Sequence, residues 1–232
     1  MPGATAMAAL APRRGEALVF EDRIDAARRL AAALAPYAGR RPVIYAIPRG
    51  AVPMAAELAR QLQGDLDVVL VRKLGAPHNP ELAVGAVDDS GWSYVSDFAA
   101  QVGANAAYLE GEKRRQLELL AARRARYTPG RRGVDPGGRV AIVVDDGLAT
   151  GATMIAALHS VRARRPARLV CAVPVASPEG LAKVEPYADE VVCLSAPADF
   201  GAVGRFYRDF AQVSDEEVEG ILAHAAPGRE MR

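Results

Sequence analysis

With 29 Lys and Arg residues against 28 Asp and Glu in 232 positions, the chain carries a net charge of +1 and lacks the basic excess of proteins that coat nucleic acids or membrane surfaces. Half of its residues are hydrophobic and a quarter are charged, an ordinary balance for a globular protein long enough to bury one substantial core. No segment approaches the about 18 consecutive apolar residues that a membrane span needs.

The Ala-rich residues 1–17 read as a flexible N-terminus. The pair Arg13 and Arg14 suggests a twin-arginine signal, but Gly15 to Asp25 is charged and mixed and supplies no apolar core after it, so a cytoplasmic protein is expected. From Asp22 to Pro36, Ile24, Ala27, Leu30, Ala31 and Leu34 share one face at helical spacing, and Pro36 and Gly39 end the helix. Val43 to Ile47 reads as a strand, Pro48 to Pro53 as a turn, and Pro53 as the first residue of a helix through Leu62. Asp67 to Val71 is the next strand. Beyond it the pattern breaks into turns and short alternating runs, in which Leu82 to Val87 and Trp92 to Val95 flank a hairpin turn at Asp88 to Gly91.

Ala104 to Tyr127 is a long helical stretch, followed by a Pro- and Gly-rich loop from Thr128 to Gly138. A strand at Val140 to Val144, a helix after Thr150, a strand at Arg168 to Val173, a short helix at Glu179 to Val184 and a strand at Glu190 to Leu194 complete the alternation. Strands that alternate with helices predict an α/β fold with a doubly wound, mostly parallel sheet. Cys171 and Cys193 lie inside apolar runs with no second sulfur at metal-ligand spacing and are expected as buried free thiols.

The chemistry concentrates at Arg139 to Thr153, RVAIVVDDGLATGAT. A buried parallel strand ends in Asp145 and Asp146, at the strand end where open α/β sheets bind ligands. Gly147 and Gly151, with the small Ala149 and Ala152, let backbone N–H groups close around an anion, and the following helix turns its N-terminus toward it. Thr150 and Thr153 add hydroxyl donors. The segment has neither the lysine of a P-loop nor the glycine spacing of a dinucleotide site.

This motif resembles the signature of the type I phosphoribosyltransferases, which use 5-phosphoribosyl-1-pyrophosphate (PRPP). The resemblance covers roughly Val43 to Leu194 and implies a single domain over residues 18–225. It implies that Asp145 and Asp146 hold the ribose hydroxyls while Gly147, Leu148, Ala149, Thr150, Gly151, Ala152 and Thr153 wrap the 5′-phosphate. Arg49 and Gly50 in Pro48-Arg49-Gly50 look like the pyrophosphate loop, which in the family often holds a non-proline cis peptide. Arg72 and Lys73, two cations at a strand end, are expected on the same pyrophosphate. Asp145, Asp146, Arg49 and Lys73 form the expected catalytic set.

The segment from Lys73 resembles the start of the family's mobile catalytic loop, with a loop and helical insertion over about 74–138 and with His78, Asn79 and Glu81 as candidates to cover the reacting carbon. Residues 195–225 are expected to form a hood over the acceptor base, with Phe200 stacking on it and Phe206, Tyr207 and Phe210 available either for the base or for packing. Where the hypoxanthine-guanine enzymes carry an Asp three residues after the acid pair, this chain has Ala149. The resemblance further implies Mg2+, on which Asp145 and Asp146 act only indirectly, a nucleobase-like acceptor, a homodimer, and no membrane or nucleic-acid partner. Arg114, Arg115, Arg123, Arg124, Arg126, Arg131 and Arg132 concentrate positive charge and read as a solvated face. A PRPP-sensing regulator without turnover is the alternative reading.

Overall fold

The computed structural model describes residues 18–131 and 133–225, and the side chain of Glu81 lies outside what is described. Residues 1–17 and Arg132 are likewise outside.

Asp22 accepts from the Asp25 N–H and caps α1 (Arg23–Ala33), whose Ala26, Ala27, Leu30 and Ala31 are buried. β1 (Val43–Ala46), α2 (Ala51–Leu62) and β2 (Asp65–Val68) follow. Three strands, β3 (Val71–Ala76), β4 (Asn79–Asp88) and β5 (Ser93–Val95), form a separate antiparallel sheet, and α3 (Ala106–Tyr127) returns to the main one. The second half runs β6 (Val140–Val144), α4 (Ala152–Ala163), β7 (Arg168–Val175), α5 (Pro178–Val184), β8 (Glu190–Ser195) and α6 (Asp215–His224).

The main sheet is wholly parallel in the order β2-β1-β6-β7-β8, as the alternation of strands and helices predicts. Alternate residues of its strands feed two cores. Ile44, Ile142 and Val170 face α1, α2, α3 and α6, whereas Tyr45, Val143 and Cys171 face α4 and α5. Chain order reverses between β1 and β6, so the loops after these two strands open onto the crevice where such sheets take ligands.

Several boundaries differ from expectation, two of them with a clear physical reason. The second strand of the main sheet is Asp65–Val68 rather than Asp67 to Val71, because the apolar run continues through Val69 and Leu70 while the chain leaves one sheet for the other. The helix after the first strand begins at Ala51, with Pro53 in its first turn. The expected hairpin at Asp88 to Gly91 is present, with β4 and β5 antiparallel. Of the two cysteines, both free, Cys171 is buried and Cys193 half-buried.

A buried ionic network joins the two sheets. Arg124 of α3 donates to Asp89 Oδ2 at 2.6 Å, Asp67 Oδ1 at 3.1 Å and the Val68 carbonyl at 3.1 Å. Asp88 is buried and accepts from Ser160 of α4 at 2.5 Å and from the Ser90 and Trp92 N–H groups of its own turn.

Candidate active site

Ile47 N–H donates to the Val144 carbonyl at 3.0 Å, which sets the loop after β1 beside the loop after β6. The Pro48–Arg49 peptide is cis. Gly50 has no room for a side chain, since a Cβ there would lie 2.0 Å from Asp146 Oδ2. Arg49 itself turns toward α6, with Nη1 3.8 Å from Asp215 Oδ2. Asp215 is held in place by Arg126 at 3.1 Å and by the Tyr127 hydroxyl.

The acid pair is partly buried. Asp145 Oδ1 accepts from the Asp146 N–H at 2.9 Å. Burial pushes the Asp145 carboxyl well above the usual carboxylate range, and the neighbouring Asp146 charge adds to the rise. Burial also raises Asp146, against the opposing pull of Arg23. That arginine, at the start of α1, donates from Nε and Nη2 to Asp146 Oδ2 at 3.0 and 2.9 Å. The Tyr207 hydroxyl donates to the Asp146 carbonyl at 2.6 Å, so the hood reaches the acid pair directly.

The loop from Gly147 to Gly151 leads into α4 with Gly151 at φ 79° and no side-chain cap. The N–H groups of Ala149, Thr150 and Gly151 donate to no acceptor among the described residues, and they directly precede the first turn of α4, whose own N–H groups have no partner within the helix. Behind the loop, the Ser177 hydroxyl donates to the Ala149 carbonyl at 2.5 Å, and a Cβ on Gly180 would come within 2.4 Å of the same oxygen. The loop is thereby clamped from the rear and open in front, which is the arrangement an oxyanion needs.

Arg72 and Lys73 stand within β3 rather than at the end of a main-sheet strand. Arg72 donates to Gln116 Oε1 at 2.6 Å, and both line a cavity of about 630 Å3 with Tyr108, Glu112, Arg115 and Gln116 of α3. The structure brings them together with α3. His78 and Asn79 are exposed at the tip of the β3–β4 hairpin. Phe200 borders a cavity of about 550 Å3 with Ala149, Thr150, Ser177 and Glu179, its ring stacked on Phe206 at 5.4 Å. Tyr207 stacks on Phe210 at 4.8 Å. Of the basic run, Arg124 makes ion pairs inside the protein, Arg126 pairs at the surface with Asp215, Glu216 and Glu219 of α6, and Arg131 donates to the Leu222 carbonyl at 2.8 Å.

Sequence reasoning names Tyr207 in the hood but not its tie to Asp146, and it passes over Arg23 and Asp215, which act across the fold. A helix-start signal existed for the last, since Ser214 followed three residues later by Glu217 is a capping pattern, and the Ser214 hydroxyl accepts from the Glu217 N–H at 3.1 Å. Among the described residues no group of three or more His, Cys, Asp or Glu could hold a metal, and no helix is long and apolar enough to cross a membrane.

A parallel sheet whose switch point joins paired carboxylates to a helix N-terminus defines an α/β protein with its candidate site at the carboxyl end of the sheet. The chain belongs to the phosphoribosyl transferase domain family, whose profile matches residues 19–211. MT0597 and Rv0571c, from Mycobacterium tuberculosis strains CDC 1551 and H37Rv and each provisionally named a phosphoribosyl transferase, are 45% identical over 208 residues, or 89% of this chain and 47% of theirs. The chain thus spans about half the length of these curated relatives. The crystal structure of TT1426 from Thermus thermophilus superposes with a TM-score of 0.83 at 50% identity, covering 90% of this chain and 99% of that one.

Proposed function

We propose that this protein transfers the ribosyl phosphate of PRPP, taken as its magnesium complex, to a nitrogen nucleophile, a nucleobase or related heterocycle, with release of pyrophosphate. The observation that carries this reading is the set of unpartnered N–H groups at Ala149, Thr150 and Gly151, set at the head of α4 directly after the acid pair. That cup offers N–H donors to a phosphate, and the two carboxylates directly before it in the chain offer acceptors to sugar hydroxyls, a combination that suits ribose 5-phosphate.

In this reading Asp145 and Asp146 accept hydrogen bonds from the ribose hydroxyls and lie beneath a ring that gains positive charge as the bond to pyrophosphate breaks. Two carboxylates face the single Arg23 guanidinium, so the pair retains surplus negative charge that suits both that ring and the cation carried by the substrate. Magnesium bound to PRPP neutralises the departing pyrophosphate. Arg49, with the Gly50 backbone, supplies the remaining positive charge. The bond from C1 to pyrophosphate oxygen breaks, the acceptor nitrogen forms the new bond with its lone pair, and the acceptor's proton leaves to solvent or pyrophosphate. Phe200 and the hood form the acceptor wall and exclude water.

Calorimetric titration with PRPP and magnesium, followed by assay of pyrophosphate release against purines, pyrimidines and smaller heterocycles, tests the proposal. Binding followed by release with one acceptor class is expected. The Asp145→Asn, Asp146→Asn double variant should lose about tenfold or more in PRPP affinity while keeping its fold. Unchanged affinity would remove the acid pair from the site, and binding without release for any acceptor would favour a sensor over an enzyme.

A further inference from the structure

Arg23 lies outside every motif in the chain, at the first position of α1, yet its side chain is almost wholly enclosed, with 12% of its surface exposed. Four contacts hold the guanidinium. Nε and Nη2 both reach Asp146 Oδ2, Nη1 donates to the Ala211 carbonyl at 2.7 Å, and the plane lies 3.9 Å over the Phe210 ring. Phe210 in turn stacks on Tyr207, whose hydroxyl holds the Asp146 carbonyl. One carboxylate oxygen is therefore committed to Arg23, while Oδ1 accepts no hydrogen bond from another residue among those described.

We infer that Arg23 is the positioning residue of the ribose site: it fixes the rotation of the Asp146 carboxylate so that Oδ1 alone is presented to a sugar hydroxyl, and it locks the hood to that same carboxylate. This inference rests on the PRPP reading proposed above. An unrestrained aspartate would rotate and share its oxygens between solvent and ligand, and the hood would lose its tie to the sheet end. A guanidinium suits this task because its planar fork can bond a carboxylate, a carbonyl and an aromatic face at once, which a lysine cannot do. Arg23 pairs with neither Arg49 nor the phosphate cup, although its Nε lies 3.4 Å from where a Cβ on Gly50 would stand, so its effect should be largest for ligands that carry the ribose.

Three ligands separate this role from a general structural one: PRPP, ribose 5-phosphate, and inorganic pyrophosphate, each titrated calorimetrically with magnesium. Arg23→Gln is expected to weaken PRPP and ribose 5-phosphate by roughly ten- to hundred-fold, the range for losing a charge-assisted hydrogen bond, and to leave pyrophosphate affinity within about twofold. Arg23→Lys, which keeps the charge without the fork, should show an intermediate loss for the same two ligands and serves if Arg23→Gln fails to fold. In an Asp146→Asn background, Arg23→Gln should add little further loss. Wild-type PRPP affinity in Arg23→Gln, or equal losses for all three ligands, would overturn the inference. If the wild-type protein bound none of them, the proposed function itself would fall, and this inference with it.

Discussion

Asp145 makes no ion pair among the described residues, although it stands at the buried end of a strand beside a second carboxylate. In the unfolded chain it titrates near the ordinary 3.8, and in the fold it titrates higher. Ionising it therefore opposes folding in full above its folded value, and the opposition fades as pH falls from that value and is gone below about 3.8. Asp145→Asn should accordingly stabilise the ligand-free protein at neutral pH by about 1 kcal/mol, and the gain should vanish in acid where the wild-type carboxyl is protonated. The same variant should bind PRPP more weakly, because the raised group is the one offered to the sugar. Thermal unfolding at the two pH values, read beside PRPP titration, checks both halves, and a variant less stable than wild type at neutral pH would refute the assignment of strain to this carboxylate. The acid pair is legible in the sequence because strand, turn and helix start are consecutive there. Its partner Arg23 is not, since the two are 123 positions apart and only the packing of α1 against the hood brings them together.

The small sheet is tied to the rest of the fold, because its apolar residues bury themselves in the larger core rather than within the sheet alone. Its ties are Leu74, Val84 and Val87 in the larger core and the Arg124 fork on Asp67 and Asp89. Arg124→Ala would leave the buried Asp67 without its cation and Asp89 with only Arg164 at 3.8 Å, and should cost about 3 kcal/mol, whereas Arg162→Ala, which removes a half-exposed pair with Asp189, should cost less than about 1 kcal/mol. Urea denaturation of both variants gives the comparison, and equal losses would show that the network does not join the sheets. β3 illustrates why an element can escape the sequence. Its residues Val71–Ala76 contain Arg72, Lys73 and Gly75, they show no clean alternation, and the pairing with β4 shifts register on both sides of Gly75. The parallel strands announce themselves by unbroken apolar runs because both of their faces are buried, but a run cannot show where its hydrogen-bonding partner ends, which is why β2 ends at Val68 while the run goes on.

At the scale of the whole molecule, the two sheets and the hood share one core: Leu74 and Val87 of the small sheet, Ile44 and Ile142 of the main sheet, and Phe200, Phe206 and Val218 of the C-terminal segment belong to a single buried cluster. The Asp146 clamp adds a polar tie between sheet, α1 and hood. Elements joined in this way should open together rather than in turn, so unfolding should be one cooperative transition despite the division into two sheets. A ligand that binds only the folded state raises that transition as a whole. At a hundredfold excess of PRPP and magnesium over the dissociation constant the stabilisation is about 2.7 kcal/mol, which for a domain of this size corresponds to a rise of roughly 5–10 °C. Differential scanning calorimetry with and without the ligand, followed by hydrogen exchange, separates the alternatives. Protection should increase in α1, the start of α4 and the hood together, because the sugar site reaches all three through Asp146. A second transition unmoved by ligand would mean that the small sheet and α3 form an independent unit, and protection confined to the phosphate loop would mean that the clamp does not carry the ligand's influence to the hood.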